Sequence, residues 1–254
     1  MPWPRPARNA GTRGAGVRER TVRRTRANGF GIVVSARRAV FAAPRKRLDC
    51  APMHTTLIVV DDFLDGAAQL REAALKLTYP EQDGAFPGRN SLERITLPGL
   101  SQQVSRLVGE PVRPISPLQS HAKCRISLAA DQGRAKVHID KAYWSGILYL
   151  SRPEDCHGGT EFFRHRRTGT DRGPINAAEL AAMGYPSIDA MHRDIIERDG
   201  MDDSQWELTQ QVPMRFNRLV LLRPWLWHTA GPAFGDSLEN GRLVYLMFFG
   251  SGPE

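Results

Sequence analysis

The sequence predicts a mainly β domain with flanking helices, a sandwich or barrel of short strands, and three observations point there. From about residue 121 onward, short runs rich in Ile, Leu, Val, Tyr and Phe recur between turn residues. Ahead of them, a β-branched run followed by apolar residues at helical spacing occupies 56–77. A polar stretch, 166–212, interrupts the strands with glycines, a proline and helical spacing, as an insertion does.

Charge divides the chain unevenly. Residues 1–50 carry 13 Lys and Arg against Glu19 and Asp49, leaving 22 basic and 25 acidic residues in 51–254. The overall +8 therefore belongs to the first segment, and the remainder is slightly acidic. Residues 1–52 are expected to be disordered, because so little apolar area cannot offset the chain entropy lost on ordering. An Arg-rich arm for nucleic acid or anionic lipid, a targeting peptide, and a stretch outside the functional chain are the three readings of it. The last fits best, since a well-patterned domain, 53–254, opens at Met53. Nucleic acid is not an expected partner of that acidic domain. No run of eighteen apolar residues exists to span a membrane. Cys50, Cys124 and Cys156 are odd in number and widely spaced, which fits neither a disulfide framework nor a paired zinc knuckle. A reducing, cytoplasmic compartment is expected.

Taken in order, Thr56-Leu57-Ile58-Val59-Val60 reads as a strand ending at Asp61-Asp62. Ala67, Leu70, Ala74 and Leu77 repeat at helical spacing, with Asp65 as the expected N-cap and Pro80 as the stop. Phe86 to Asn90 form a loop, and 100–107 a second short helix before Pro111 and Pro114. Strands are predicted at 121–129, 135–139, 144–151 and 159–164, then at 215–222 and 242–249. The insertion carries helical spacing at 177–183 and 188–198, and is expected to stay helical until Gln210 as a cover near the site, without adding strands.

His138-Ile139-Asp140 lies on one of these predicted strands, where residues i and i+2 share a face. His228 follows ninety residues later, just beyond a strand and Pro224. A single strand histidine is more often packed or hydrogen-bonded than ligating. Two histidines and a carboxylate, each where a strand meets a loop, form the facial set of non-haem Fe(II) oxygenases and leave coordination positions open. His157 and His165 bring no further ligand at fixed spacing and are not read as a second metal site. Glu161 reads as a solvated strand residue or a partner of the ligands. Trp144, Trp225 and Trp227 read as core or rim aromatics, with Trp225 or Trp227 expected at the entrance.

These residues resemble the Fe(II)/2-oxoglutarate-dependent dioxygenase superfamily in its prolyl-4-hydroxylase-like branch, close to a group of uncharacterised bacterial members. The resemblance covers about 56–250. It rests on Val60-Asp61-Asp62-Phe63-Leu64, Phe86-Pro87-Gly88-Arg89, His138-Ile139-Asp140, Gly158-Gly159-Thr160-Glu161-Phe162-Phe163, Phe216-Asn217-Arg218-Leu219 leading to His228, and Gly241-Arg242-Leu243. It implies a double-stranded β-helix, or jelly roll, with iron at the open end held by His138, Asp140 and His228. It also implies 2-oxoglutarate as co-substrate, chelated to the metal and decarboxylated to succinate.

The far carboxylate of such an oxo acid needs a rigid cationic partner, and Arg242 opens an otherwise apolar strand where an unmatched charge is expensive. In many superfamily members a hydroxyl residue stands two positions later; here it is Val244, so Arg125, Ser127 and Tyr149 are the candidates for a second anchor. The implied activity is hydroxylation of an unactivated C–H in a small-molecule or peptidyl substrate, and the Asp140 ligand argues against halogenation. The competing reading is a non-catalytic, cupin-like jelly roll holding a metal or small ligand.

Overall fold

In the computed structural model, residues 55–82, 84–115 and 120–253 are described. The expected disorder of 1–52 and the opening of the domain at Met53 fall outside them. All elements below lie in the unit His54–Glu254.

The fold is mostly β, with every strand pair antiparallel. The larger sheet comprises β1 (Leu57–Val60), β2 (Arg89–Asn90), β3 (Val112–Pro114), β4 (Cys124–Ser127), β5 (Trp144–Tyr149), β8 (Leu219–Leu222) and β10 (Arg242–Ser251). Their order is β1-β8-β5-β10-β4-β2, and β3 pairs with the far end of β10. The smaller sheet, in order β7-β6-β9, comprises β6 (Gly159–His165), β7 (Trp206–Pro213) and β9 (His228–Thr229). Helix α1 (Ala67–Leu75) lies between β1 and β2, α2 (Leu100–Val108) between β2 and β3, and α3 (Ala177–Ala182) and α4 (Ile188–Met191) between β6 and β7.

The alternation of β10 shows how the layers arise. Leu243, Tyr245, Met247 and Phe249 join Leu70, Ala74, Leu100 and Val104 in a core between the larger sheet and the first two helices. The alternate residues Arg242, Val244, Leu246 and Phe248 face the opposite way and line a cleft. Val244 also packs with Tyr149, Phe162, Val212, Val220 and Leu222 in a cluster that joins the two sheets. A third cluster, built on Met191, Ile195, Ile196, Trp206 and Trp227, fastens the α3–α4 region to the smaller sheet. No helix of the described residues is long and apolar enough to cross a membrane.

Several sequence expectations change. The end of the stretch expected as helical to Gln210 becomes β7, which pairs with β6 from Pro213 opposite Gly159 to Trp206 opposite His165, with a bulge between Phe162 and Phe163. Trp206 and Val212 are buried at its ends while the residues between are exposed, so a solvated hairpin strand carried too few apolar residues to mark its period. The 135–139 strand reduces to a bridge at His138, because Arg134 and Ala135 donate to the Ala85 carbonyl and Val137 to that of Gly200. The strand expected from 215 starts at Leu219, after a turn in which Asn217 has φ +60° and its side chain brackets the Leu64 backbone. The cap of α1 is Gly66, without the side-chain bond expected of Asp65.

Candidate metal centre

His138 and His228 are joined through their main chains, each N–H donating to the other's carbonyl at 2.9 and 3.1 Å. β9 also pairs with β6 at Glu161 and Phe162, so the second histidine stands on a sheet edge and the first is zipped onto it. Asp140 is anchored by its own N–H to the Pro224 carbonyl at 3.0 Å. One potential ligand atom from each of the three side chains lies within 4.8 Å of the other two.

The hydrogen-bonding pattern fixes what these atoms offer. His138 Nδ1 meets the Lys136 carbonyl at 2.9 Å, and His228 Nδ1 meets that of Leu226 at 2.8 Å. A carbonyl cannot donate, so both Nδ1 atoms carry a proton, and each ring in its neutral form turns the Nε2 lone pair to the carboxylate. Those lone pairs face the carboxylate, with His138 Nε2 3.4 Å from Asp140 Oδ1 and His228 Nε2 3.4 Å from Oδ2. Acceptors turned on an acceptor repel unless a cation sits among them, and adjacent donors around an ion with bonds of about 2.1 Å are roughly 3 Å apart. The donor set therefore fits one divalent ion. Burial alone would raise the Asp140 carboxyl, but the two imidazoles hold it well below the usual carboxylate range. Burial opposes protonation of His228 as well, and Asp140 outweighs it.

The three residues open into a cleft of about 700 Å³ whose lining includes Phe86, Arg125, Ser127, Lys136, Met201 and Arg242. Arg242 is 2% exposed, and its Nε and Nη2 have no hydrogen-bond partner. Burial lowers its pKa, and the Tyr149 ring lies 6.0 Å from Cζ. An orphaned buried guanidinium on the cleft wall fits an incoming carboxylate.

The other sequence candidates separate. Ser127 is the cross-strand neighbour of Arg242 and lines the cleft, with Oγ 3.2 Å from the Pro87 carbonyl. Arg125 also lines it, but spends its donors on the Phe86, Pro87 and Gly88 carbonyls and Asn90 Oδ1. Burial, then the charge of Arg242, pull its pKa down to about 10. This clamp and the turn at Gly88, where φ is +91° and a Cβ would lie 2.2 Å from Ser127 Oγ, press the loop against β4. Phe86 then packs against His138 with its ring tilted by 44°, centroids 4.1 Å apart. Tyr149 shares the sheet face of Val244 but does not line the cleft, its hydroxyl bonded to Thr160 at 2.7 Å through Oγ1 and 2.9 Å through N–H.

Trp227 is fully buried in the insertion's core and Trp225 lies against Arg223, so neither tryptophan lines the cleft as expected. Met201, 52% exposed, stands at the cleft instead. His165 is buried between Thr168 and Asp199 in a structural network. Sequence reasoning missed Ser145, whose hydroxyl donates to Asp140 Oδ2 at 2.7 Å; the signal was a serine inside the apolar run of β5.

The chain is matched over residues 44–249 by the model of DUF6445, described as a family of unknown function. No curated protein matches it. Among solved structures, HygX from Streptomyces hygroscopicus with nickel, 2-oxoglutarate and hygromycin B bound is 15% identical, with 78% of this chain and 83% of that chain covered and a TM-score of 0.40. AviO1 from Streptomyces viridochromogenes Tue57 is 14% identical over 79% of this chain and 93% of that chain, at 0.44. A prolyl hydroxylase from Trichoplax adhaerens, in complex with a hypoxia inducible factor oxygen degradation domain peptide fragment, is 12% identical over 76% and 83%, at 0.39.

Proposed function

We propose that this chain, which belongs to the DUF6445 family of unknown function, is an Fe(II)- and 2-oxoglutarate-dependent oxygenase of the prolyl-4-hydroxylase-like branch, built on a double-stranded β-helix. The observation that carries the reading is a cleft with two imidazole lone pairs and a carboxylate on one wall and an orphaned guanidinium on another. His138, Asp140 and His228 hold the iron, and Arg242 takes the far carboxylate of 2-oxoglutarate. Of the three second-anchor candidates, Ser127 is the best placed, being opposite Arg242 on the cleft wall. Iron bound there would use dioxygen to oxidise both molecules, one oxygen atom entering succinate as 2-oxoglutarate loses CO2 and the other hydroxylating an unactivated C–H of the substrate. Phe86 shields one side of His138 from water, and the Arg125 clamp keeps the ring in place.

The cleft volume suits a small molecule or an extended peptidyl side chain. The functional domain opens at Met53, and the insertion 166–212 approaches the cleft through Met201 as a cover over the site. A cytoplasmic setting agrees with free Cys124 and Cys156.

Anaerobic protein given Fe(II) and 2-oxoglutarate should develop a weak visible charge-transfer band, and oxygen should then yield succinate. Metal binding with neither band nor succinate would leave a cupin-like binding module.

A further inference from the structure

Ser145 stands second on β5, between Leu222 of β8 and Phe248 of β10, on a strand whose other residues are Trp144, Gly146, Ile147, Leu148 and Tyr149. It is 2% exposed, so water cannot satisfy its hydroxyl. The partner it finds is Asp140 Oδ2, at 2.7 Å, in the range of a hydroxyl donating to a carboxylate. Asp140 itself lies outside any strand, tied at its main chain to Pro224, and its side chain would otherwise be free to rotate. A short side chain on a strand paired at both edges is a rigid point from which to stop that rotation.

The placement has a chemical consequence. The hydroxyl engages a lone pair of Oδ2, which also faces His228 Nε2, while Oδ1 faces His138 Nε2 with no such bond. We infer that Ser145 is a positioning residue of the metal centre, which fixes the Asp140 carboxylate and restricts it to ligation through one oxygen, thereby setting metal affinity and keeping positions open for co-substrate. The inference rests on the metal-centre reading above. Partners of this kind orient ligands and typically change metal affinity 10- to 100-fold when removed.

The test is Co(II) titration of the full chain, read as a dissociation constant and as the visible d–d spectrum, with circular dichroism and melting of the metal-free protein as the fold control. Ser145→Ala should fold, bind Co(II) about 10- to 100-fold more weakly, and show altered d–d intensity as the freed carboxylate changes its mode of ligation. Ser145→Thr keeps the hydroxyl and should restore affinity and spectrum. In the Asp140→Ala background, Ser145→Ala should have no further effect, because the hydroxyl acts only through the carboxylate. Wild-type affinity and spectrum in Ser145→Ala, or an equal loss in both backgrounds, overturns the inference. Asp140→Ala binding Co(II) as tightly as wild type would overturn the metal centre as well, whereas a neutral Ser145→Ala beside a defective Asp140→Ala sinks the Ser145 role alone.

Discussion

Arg242 is where the sequence argument and the atomic arrangement meet most directly. Its position at the head of an apolar strand was enough to read a charge awaiting an anion, and the orphaned Nε and Nη2 agree with that reading. Arg242→Ala should weaken 2-oxoglutarate binding by about 2–4 kcal/mol, measured by anaerobic titration calorimetry, while metal affinity stays near wild type. Arg242→Lys should recover only part of the loss, since a point charge does not reproduce two parallel hydrogen bonds. Wild-type oxoglutarate affinity in Arg242→Ala would remove the anchor from this residue. The clustering of the three candidate ligand residues was legible for a similar reason: histidine and aspartate in a fixed H-x-D spacing carry their chemistry in their side chains. Ser145 and Phe86 were less so, because serine and phenylalanine take roles only from what they touch, and those contacts span loops that the sequence does not join.

At the scale of elements, legibility followed apolar content. α1, α2, β5, β6 and β10 each bury apolar side chains at their own period, and β1 was legible as a β-branched run although it is only half-buried. β7 and the 131–138 loop did not, because their order comes from pairing with distant backbone. The insertion's base depends on one side chain, Asp199, which accepts hydrogen bonds from His165 Nε2, Arg167 and Arg198 while its carbonyl receives the Trp206 indole. Burial works against its charge, yet the Arg198, Arg167 and His165 bonds bring its pKa down to about 2. A carboxyl depressed in the folded state stabilises at pH above its unfolded value, and that contribution disappears as pH falls from about 4 to about 2. Asp199→Asn should therefore lose roughly 2 kcal/mol at neutral pH, a drop of about 4–8 °C in melting temperature, with the gap from wild type closing in acid. A gap that persists unchanged at pH 2 would assign the loss to packing. Arg167 and Arg198 also hold Asp194, so tryptic cleavage between β6 and β7 should accelerate in the same variant.

For the whole molecule, the charge asymmetry makes a separate claim. The basic residues concentrate before residue 51, and the first described strand starts only at Leu57. A chain beginning at Met53 should match the full chain in thermal stability and in succinate release. A large loss of stability would show that the preceding residues pack on the domain.

The two-bond bridge between His138 and His228 joins residues ninety positions apart, and both belong to the proposed metal centre. Closing so long a loop is entropically uphill until the surrounding sheets are in place, which makes this bridge a late event in folding. An ion gripped from both sides of that closure behaves as a removable cross-link, absent while the chain collapses and present once it has finished. Metal should therefore leave the refolding limb of a chevron almost unmoved and depress the unfolding limb, so that a chelator shortens the lifetime of the native state without changing how fast it is reached.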